Sequence, residues 1–433
     1  MRIVVVRKGD TLWRLARRYG TTAERLADVN GLTDPDALAV GQAIVIPGTD
    51  DRLAARNEPH QVAGGESMSS IANQYGVSLK SLMQQNGIFN PALASAGSML
   101  SIPAETKPTI EANGYVQPGS AGEAEVRNNA ASLTYVSPFS YAVSSDGSLA
   151  ALDDAALIQA ALDGGAAPMM VISNFVGGTF DSDIVSRLLN DANAGSRLIA
   201  NVVSVMQAKG YTALNVDFEY VPAADKERYH ALLRQLTDTL HHYGYLVSSA
   251  LAPKTSSAQQ GLLYEGHDYA AQGKIVDFVI LMTYEWGWFG GKPMAVAPLN
   301  EVNKVVRYAV SVIPPDKILM GMPLYGYDWT LPYAEGTTAE TLSHKEAVDR
   351  AVRMGAAIQY DEQAESPYYT YYDGSGKEHI VWFEDARSVQ AKYNLVKTYG
   401  LRGVSFWVLG VSFAQNWYVL NANFHIAKRS AGS

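Results

Sequence analysis

Two acidic residues stand two positions apart in the apolar stretch ALNVDFEYV, residues 213–221. Side chains alternate between the two faces of a strand, so Asp217 and Glu219 point to the same face, together with Asn215. Two such positions lie about 6.5–7 Å apart along a strand, from where the side chains converge or splay. This face is either engaged in chemistry or simply solvated, and a structural ion pair at a strand end is the plainer alternative.

Carboxyl groups at the mouth of an apolar barrel would be suited to acid–base catalysis. Burial disfavours the charged form, so it raises the pKa of a carboxyl group, and a protonated carboxyl can donate to a leaving oxygen. Two carboxylates that flank a glycosidic bond are the usual arrangement in glycosidases. Because Asp217 and Glu219 share one strand, both would face the same side of a sugar, and the second is poorly placed as a nucleophile from the opposite face.

The elements that must position this pair alternate between strands and helices from about residue 105 onwards. Amphipathic stretches such as residues 223–244, with apolar positions three and four apart, separate most of the apolar runs. Eight strands in about 330 residues predict an α/β fold, a (β/α)8 TIM barrel, whose chemistry takes place at the C-terminal ends of the strands. We predict these strands at 109–116, 134–143, 167–174, 212–219, 246–252, 276–284, 317–324 and 402–409.

The long segment between the seventh and eighth strands contains SPYYTYYDGSGKEHIVWFED, residues 366–385. It predicts a small α+β insertion that walls one side of a cleft. Aromatic side chains after the sixth and seventh strands can stack on sugar rings there, although each is equally well explained as part of the core. These residues are Trp286, Trp288, Tyr325 and Trp329.

The first hundred residues contain a repeat with an offset of 56 residues, because residues 6–32 align without gaps on residues 62–88. Each copy predicts the order strand, helix, helix, strand. Two small βααβ modules are therefore predicted at 1–48 and 59–104, followed by a larger domain at 105–433.

The wording of the repeat, GDTLWRLARRYGT followed by Leu and Asn, resembles the LysM module. LysM modules bind glycans that contain N-acetylglucosamine, such as peptidoglycan and chitin, so the resemblance implies glycan binding. In both copies a glycine, Gly20 or Gly76, is predicted to end the first helix. The second copy has Glu66, Ser67 and Met68 where Asp, Thr and Leu are commoner, which makes its affinity for glycans less certain.

Composition points to a globular protein with a neutral or sugar-like ligand. Of the 433 residues, 47% are hydrophobic, and the net charge of -9 argues against a nucleic-acid partner. There are no cysteines and the eight histidines lack metal-ligand spacing, so neither a metal nor another cofactor is expected. The apolar runs are too short for a classical signal peptide or a membrane span, and no membrane insertion is expected.

Three motifs in the larger domain occur in the order found in one enzyme family. TALNVDFE resembles the fourth-strand motif D-x-x-D-x-D-x-E of glycoside hydrolase family 18. MTYE at 282–285 resembles the family's sixth-strand Met-x-Tyr-Asp/Glu, and GVSFWVLG at 403–410 matches its eighth strand, which ends in Trp. The resemblance covers residues 105–430 and implies an enzyme that hydrolyses glycosidic bonds.

The resemblance also implies a role for each matching residue. Glu219 would be the general acid and later the base, while Asp217 would orient the substrate's 2-acetamido group, whose carbonyl oxygen attacks C1 to form an oxazolinium ion. Tyr284 would hold that oxygen and Trp407 would form the floor of the subsite. The nucleophile would then belong to the substrate, and the anomeric configuration would be retained. Further contacts to substrate are expected from Asn215, Glu285, Trp286 and Tyr325.

Two positions depart from the family motif. Thr212 and Asn215 stand where the motif has Asp, so the carboxylate relay behind Asp217 is changed. Asn215 is expected to hydrogen-bond Asp217 without sharing its proton, and Glu285 adds a charge near Tyr284. With the two LysM modules and the stretch GMPLYGYDW, these departures resemble the bacterial spore cortex-fragment-lytic enzymes, which are N-acetylglucosaminidases.

The resemblances together imply a retaining β-N-acetylglucosaminidase that hydrolyses spore cortex peptidoglycan fragments during germination. Its location would be the bacterial spore, in the coat or cortex, or the cell envelope, and no protein partner can be inferred. Two alternatives remain open. One is a chitinase that acts on chitin oligomers; the other is a glycan-binding barrel without activity, although such relatives typically lack the acid that Glu219 supplies.

Overall fold

The computed structural model describes residues 1–48, 58–93, 95–103 and 107–429. At its centre is a barrel of eight parallel strands, each paired with the next and the eighth paired with the first. The predicted (β/α)8 TIM barrel is therefore confirmed. In chain order the barrel strands are Thr109–Val116, Tyr135–Pro138, Ala167–Ser173, Ala213–Asp217, Leu246–Leu251, Phe278–Leu281, Ile318–Pro323 and Gly403–Leu409.

Helices surround the barrel and bury their apolar faces against the outer side of the strands. No helix in the described ranges is long and apolar enough to cross a bilayer. The α-helices are Ser120–Asn129, Ala155–Asp163, Ser182–Asn190, Ala192–Lys209, Lys226–His241, Leu262–Glu265, Tyr269–Ile275, Leu299–Val312, Ala386–Tyr399 and Ala414–Asn423, and the 3-10 turns are Ala130–Ser132, Ala223–Asp225 and Pro315–Lys317.

Short strands decorate the barrel at both ends. Tyr141–Ala142 pairs with the third barrel strand, and His425–Ile426 pairs with the first. A small hairpin, Phe175–Val176 with Thr179–Phe180, follows the third barrel strand.

The inside of the barrel is filled by side chains from alternate strand positions, as the pleat of a strand requires. Among them are Tyr115, Tyr135, Met169, Val171, Ala213, Phe278, Ile280 and Leu319.

The segment between the seventh and eighth barrel strands forms the predicted α+β insertion. Its five antiparallel strands enclose a core of their own, in which Leu342, Tyr369 and Phe383 are buried. The strands are Tyr325–Thr330, Glu340–Ser343, Gln359–Asp361, Ser366–Tyr372 and Glu378–Trp382, and the helix is His344–Met354.

Three barrel strands end two or more residues earlier than the apolar pattern predicts, and the second, predicted to reach residue 143, already ends at Pro138. The fourth ends at Asp217, which pairs with Ser173, and the sixth ends at Leu281. Hydrophobic runs extend past these points because the loops that follow are also buried, whereas a strand lasts only as long as its partner offers hydrogen bonds. As a consequence, Glu219 and Tyr284 lie in loops rather than on strands.

Each N-terminal module folds as the predicted strand, helix, helix and strand. Gly20 and Gly76 end the first helices in the left-handed conformation, both at φ 68°. The elements of the first module are Arg2–Val5, Leu12–Tyr19, Ala23–Asn30 and Ala43–Ile46, and those of the second are Glu58–Gln61, Met68–Tyr75, Leu79–Gln85, the 3-10 turn Pro91–Leu93 and Met99–Ile102.

An asparagine fastens the second helix of each module to the closing strand. Asn30 donates from Nδ2 to the Val45 carbonyl and accepts from the Val45 N–H, at 2.9 and 2.7 Å. Asn86 makes the same two bonds with Ser101, again at 2.9 and 2.7 Å. The two modules therefore share this pair of hydrogen bonds as well as their order of strands and helices.

The residues at which the second module departs from the common LysM sequence, Glu66, Ser67 and Met68, leave its first turn intact. Asp10 Oδ2 accepts from the main-chain N–H three residues earlier at 2.8 Å, and Glu66 Oε2 does the same at 2.7 Å. Thr11 and Ser67 both cap the helix that follows by accepting from the N–H three residues later. The longer Glu66 side chain thus fulfils the local structural role of Asp10.

The first module is docked on the larger domain rather than merely tethered to it. Gln415 on the last helix donates to Asn30 Oδ1 at 2.9 Å and to the Ala43 carbonyl at 2.8 Å. The Ile358 N–H of the insertion donates to the Val40 carbonyl at 2.8 Å. Both contacts are backed by apolar packing, since Ala43 belongs to the same buried cluster as the barrel helices.

The second module contacts the outer helix Ala386–Tyr399. Asn394 donates to Asn73 Oδ1 at 2.7 Å, and Lys397 donates to the Gly76 carbonyl at 2.8 Å. Between the module and this helix lies a mainly apolar groove of about 660 Å³, at whose edge Phe89 is almost fully exposed.

Gly41 is the position at which docking leaves no room for a side chain. A β-carbon there would lie 1.8 Å from the Ile358 carbonyl oxygen, whereas at Gly9, with a similar φ of 88°, it would meet nothing within 4 Å. We expect Gly9→Ala to cost about 1 kcal/mol of backbone strain. Gly41→Ala should cost about 1–3 kcal/mol more, because the module must shift. Urea unfolding of both variants measures this difference, and equal losses would contradict the docking contact.

Candidate active site

Asp217 is the last residue of the fourth barrel strand and points into the mouth of the barrel. It is 5% exposed, and its Oδ1 has no hydrogen-bond partner within the described structure. Burial raises the pKa of Asp217 to about 7, because a charged carboxylate is poorly solvated there. The group can therefore exchange a proton near neutral pH.

Glu219 follows two residues later, half-buried in the loop after the strand. Its pKa is raised well above the usual range for a carboxyl, first by burial, then by the charges of Asp217 and Glu285. Directly after it Tyr220 has φ 55°, a left-handed conformation that is uncommon outside glycine, so the chain turns sharply at this point. Its surroundings thus favour the protonated form of Glu219, beside a second carboxyl.

Asn215 lies one strand pleat below Asp217 and is fully buried. Its Oδ1 accepts from the Tyr115 hydroxyl at 2.8 Å, and its Nδ2 donates to Ser248 Oγ at 2.9 Å. The expected hydrogen bond from Asn215 to Asp217 is therefore wrong. The Asn215 amide bonds side chains of the first and fifth barrel strands instead. Asn215 supports the site from beneath, through a neutral network.

Tyr284 follows the sixth barrel strand and is surrounded by the acidic groups. Burial raises the pKa of its hydroxyl well above the usual value, and the charges of Asp217, Glu219 and Glu285 add to the effect. The hydroxyl therefore stays protonated and can donate. Gly321 on the neighbouring strand allows the ring to approach, since a β-carbon there would lie 2.8 Å from Tyr284 Cε1.

Glu285 is a third carboxyl, clamped by hydroxyls of the insertion. Its Oε1 accepts from Tyr325 and, at 3.0 Å, from Tyr327. Burial raises its pKa, while these two hydrogen bonds oppose the rise. The residue has φ 67°, a strained conformation of the kind that often marks functional sites. The insertion thus fixes one acidic group at the edge of the barrel mouth.

Aromatic side chains occupy the barrel mouth and its rim. Trp407 is half-buried and meets Phe139 and Tyr115 edge-on, with ring centroids 4.8 and 5.6 Å away. Trp286 is half-buried against the main core, whereas Trp288 is 45% exposed. Trp329, at 1% exposure, belongs to the core of the insertion. Among these tryptophans, Trp407, Trp286 and Trp288 keep exposed surface that a sugar could reach, whereas Trp329 does not.

The structure brings most of the predicted residues together. Asp217 and Glu285 raise the pKa of Glu219, and all three carboxyl groups raise the pKa of Tyr284. Tyr325 joins them through Glu285, and Asn215 and Trp407 both contact Tyr115. The described part of the chain holds no group of three His, Cys, Asp or Glu side chains arranged for a metal ion.

Several residues of the site were missed because each is a single polar or aromatic residue in an apolar run. Tyr115 and Ser248 support Asn215, Tyr327 binds Glu285, and Asn174 and His267 bond the main chain at residues 218–219. A polar residue at the very end of a predicted barrel strand, as in VISN at 171–174, was the signal available.

Comparison with known protein families gives two matches. The model described as glycosyl hydrolases family 18 matches residues 119–411, and the LysM domain model matches residues 4–47 and 60–103. The first match spans the barrel from its second strand to its eighth, the insertion and all three acidic side chains of the site.

Individual relatives agree with this. The cortical fragment-lytic enzyme of Bacillus subtilis is 41% identical and covers 99% of this chain and 100% of its own. The crystal structure of the Bacillus cereus spore cortex-lytic enzyme SleL matches with a TM-score of 0.90 at 39% identity, covering 99% of this chain and 98% of its own. A chitinase from Chromobacterium violaceum matches with a TM-score of 0.68 at 27% identity, covering 73% of this chain and 99% of its own.

The buried carboxyl at Asp217 should leave a mark on the pH dependence of stability. Its pKa is about 7 in the folded chain against 3.8 for an exposed Asp. Folding therefore favours the protonated form, and stability is lost as pH rises from about 4 to about 7. Asp217→Asn removes this loss, so relative to wild type it should gain on the order of 2–4 kcal/mol between pH 4 and pH 8.

Urea unfolding at both pH values measures this gain as a difference of differences, which cancels any constant effect of the substitution. Asp238→Asn, at an exposed position of the helix Lys226–His241, is the matched control. A pH-independent effect of Asp217→Asn would show that the Asp217 carboxyl is ionised in the folded protein throughout this range.

Proposed function

Because the chain belongs to glycosyl hydrolases family 18 and is a glycoside hydrolase with two LysM domains, we propose that it is a retaining, substrate-assisted β-N-acetylglucosaminidase. Its proposed substrate is fragments of spore cortex peptidoglycan, which it hydrolyses during germination. The observation that carries the proposal is the placement of Asp217 and Glu219 on one side of the barrel mouth, each with a raised pKa.

Glu219 is the general acid in this proposal. Its raised pKa favours the protonated carboxyl, which can donate a proton to the oxygen of the leaving sugar. After the leaving group departs, the same carboxylate takes a proton from water. The two roles follow each other on one side chain, as in other retaining glycosidases.

In this proposal Asp217 does not attack from the opposite side of the sugar, because it ends the fourth strand only two residues before Glu219 and both face the same side. A nucleophile from the substrate resolves this: the carbonyl oxygen of the 2-acetamido group attacks C1, and the bond to the leaving oxygen breaks. Asp217 then accepts a hydrogen bond from the acetamido N–H and stabilises the positive charge of the oxazolinium ion. Attack within one molecule also lowers the entropic part of the barrier.

Tyr284 and Trp407 complete the subsite. The Tyr284 hydroxyl remains a donor because its pKa is far above neutral, and in this proposal it donates to the acetamido oxygen. Trp407 presents an aromatic ring, held edge-on by Phe139, on which the sugar lies. We assign contacts on the substrate's hydroxyl groups to Glu285, Trp286 and Tyr325, and an indirect part to Asn215.

Peptidoglycan is favoured over chitin by the named relatives. The Bacillus subtilis and Bacillus cereus relatives named above cover the whole chain, modules included, and are named as lytic for spore cortex or its fragments, whereas the matching chitinase covers 73% of it. The LysM modules would bind the same glycan strand, at the spore or elsewhere in the cell envelope. A chitinase remains the second candidate because the barrel itself is similar to one.

Replacing the acid tests the reaction. Glu219→Gln keeps the shape of the side chain and removes the proton, so we expect hydrolysis to fall by roughly 10²–10⁴-fold or more while glycan binding survives. The assay incubates wild type and variant with muropeptides from spore cortex and with chitin oligomers. The products are then reduced, and the new reducing-end sugar is identified by mass spectrometry.

Glu123→Gln, on the outer helix Ser120–Asn129, is the matched control and should retain full activity. Reduced N-acetylglucosamine from cortex fragments, absent with Glu219→Gln, is the expected result. Cleavage of chitin alone would move the protein to the chitinases, and full activity of Glu219→Gln would contradict the proposed acid.

Removing the acetyl group from the substrate tests the nucleophile. A free amine has no carbonyl oxygen to attack C1, so fragments N-deacetylated at the glucosamine should be cleaved at least roughly 10³-fold more slowly. The rate is measured with matched acetylated and deacetylated oligomers of the same length. Equal rates on both would indicate a nucleophile from the protein, and inversion at C1, followed by proton NMR, would indicate direct attack by water.

A further inference from the structure

The candidate acid lies beyond the last hydrogen bond of its strand. The ladder between the third and fourth barrel strands ends where Asp217 pairs with Ser173. Glu219 comes two residues later, and the chain turns away at once through Tyr220 with φ 55°. The regular sheet therefore does not fix the main chain that carries this carboxyl.

The side chain of Asn174 continues the ladder in place of a strand. Its Oδ1 accepts from the Glu219 N–H at 3.0 Å, and its Nδ2 donates to the Glu219 carbonyl at 2.9 Å. A carboxamide offers a donor and an acceptor side by side, as a peptide group does, so it can pair with both main-chain groups of one residue. Asn174 directly follows Ser173, so the pairing extends the sheet by one step.

Asn174 is itself fixed in one orientation. It is fully buried, and its Nδ2 also donates to the Asp181 carbonyl at 3.0 Å. The Asp181 N–H in turn donates to the Asn174 carbonyl at 3.0 Å, and Asp181 caps the helix Ser182–Asn190. Because two carbonyls require the NH2 group and one N–H requires the oxygen, the amide cannot be turned over without losing its bonds.

His267 holds the peptide unit just before Glu219. Its Nε2 donates to the Phe218 carbonyl at 2.9 Å, while its Nδ1 accepts from the Ala252 N–H at 2.9 Å. Burial lowers the pKa of His267 to about 4, so the ring is neutral, with its hydrogen on Nε2. The main chain at residues 218–219 is thus tied at three points.

We propose that Asn174 and His267 are positioning residues for the general acid: they supply the hydrogen bonds that the sheet lacks beyond Asp217 and so aim Glu219 at the scissile bond. The inference rests on the proposed role of Glu219. Its physical basis is that a displacement of about 1 Å in a reacting group can cost about 10²-fold in rate. Neither residue touches the substrate in this account.

The principal test compares Asn174→Ala with Asn423→Ala. Asn423 is equally buried on the last helix and makes three hydrogen bonds of similar length, to Gln390 and Val419. Both truncations should lower the unfolding temperature, but only Asn174→Ala should lower kcat, by about 10–100-fold, with KM changed less than about threefold. The pH profile of kcat should also move for this variant alone, because the surroundings of Glu219 change.

A conservative series separates the individual bonds. Asn174→Asp keeps the acceptor for the Glu219 N–H and loses the donor, so its kcat should lie between those of wild type and Asn174→Ala. His267→Gln can still bond Phe218 and Ala252 and should retain more activity than His267→Phe. If Asn174→Ala does not fold, Asn174→Asp decides. Wild-type kcat in Asn174→Asp, or in an Asn174→Ala protein that folds, would overturn the proposal.

Hydrogen exchange provides a readout that needs no substrate. The Glu219 amide should exchange at least about tenfold faster in Asn174→Ala than in wild type, and Asn423→Ala should leave it unchanged. If the wild type does not hydrolyse cortex fragments, the proposed substrate is wrong. The exchange comparison then still tests whether Asn174 holds the main chain at Glu219. Unchanged exchange at Glu219 in Asn174→Ala would overturn the proposed role of Asn174.

Discussion

The structure of this site depends on keeping carboxyl groups out of water at the mouth of a closed parallel barrel. An ionised carboxylate is costly in such surroundings unless it is paired, and Asp217 Oδ1 is unpaired within the described chain. The barrel supplies the dry environment, because its interior is filled by side chains such as Met169, Phe278 and Ile280. Burial of the Asp217 carboxyl lowers the stability of the fold, but it also raises the pKa of this group into the neutral range, where it can exchange a proton.

The departures from the family motif fit this constraint. Behind Asp217 the chain has Asn215, which bonds Tyr115 and Ser248, so no second negative charge is buried directly beneath the first. The raised pKa of Asp217 accordingly arises from burial. The third carboxyl, Glu285, is placed in a loop at the edge, where two tyrosine hydroxyls can solvate it. The additional carboxyl thus lies at the edge of the barrel mouth, at Glu285, and not beneath Asp217, where Asn215 is neutral.

Sequence alone predicted the barrel and the acidic pair, but not what holds the pair in place. Long apolar runs reveal buried strands, and the motif around Asp217 and Glu219 is local in the chain. The end of a strand, by contrast, depends on its partner, so the fourth strand stops at Asp217 although the apolar run continues. Asn174 and His267 lie more than forty residues from Glu219 in the chain, and their relation to it is created only when the barrel closes.

The docked modules change how glycan binding and hydrolysis are connected. Both modules contact the larger domain directly, since Gln415 binds the first module and Asn394 the second. In a tethered protein the linker sets the effective concentration of the second site, whereas docked modules add affinity only for a ligand that spans a set distance. If the modules bind the strand that is cut, long cortex strands gain from them, and short fragments must rely on the barrel mouth alone. In that case the contacts that dock the modules would also influence which length of glycan is hydrolysed best.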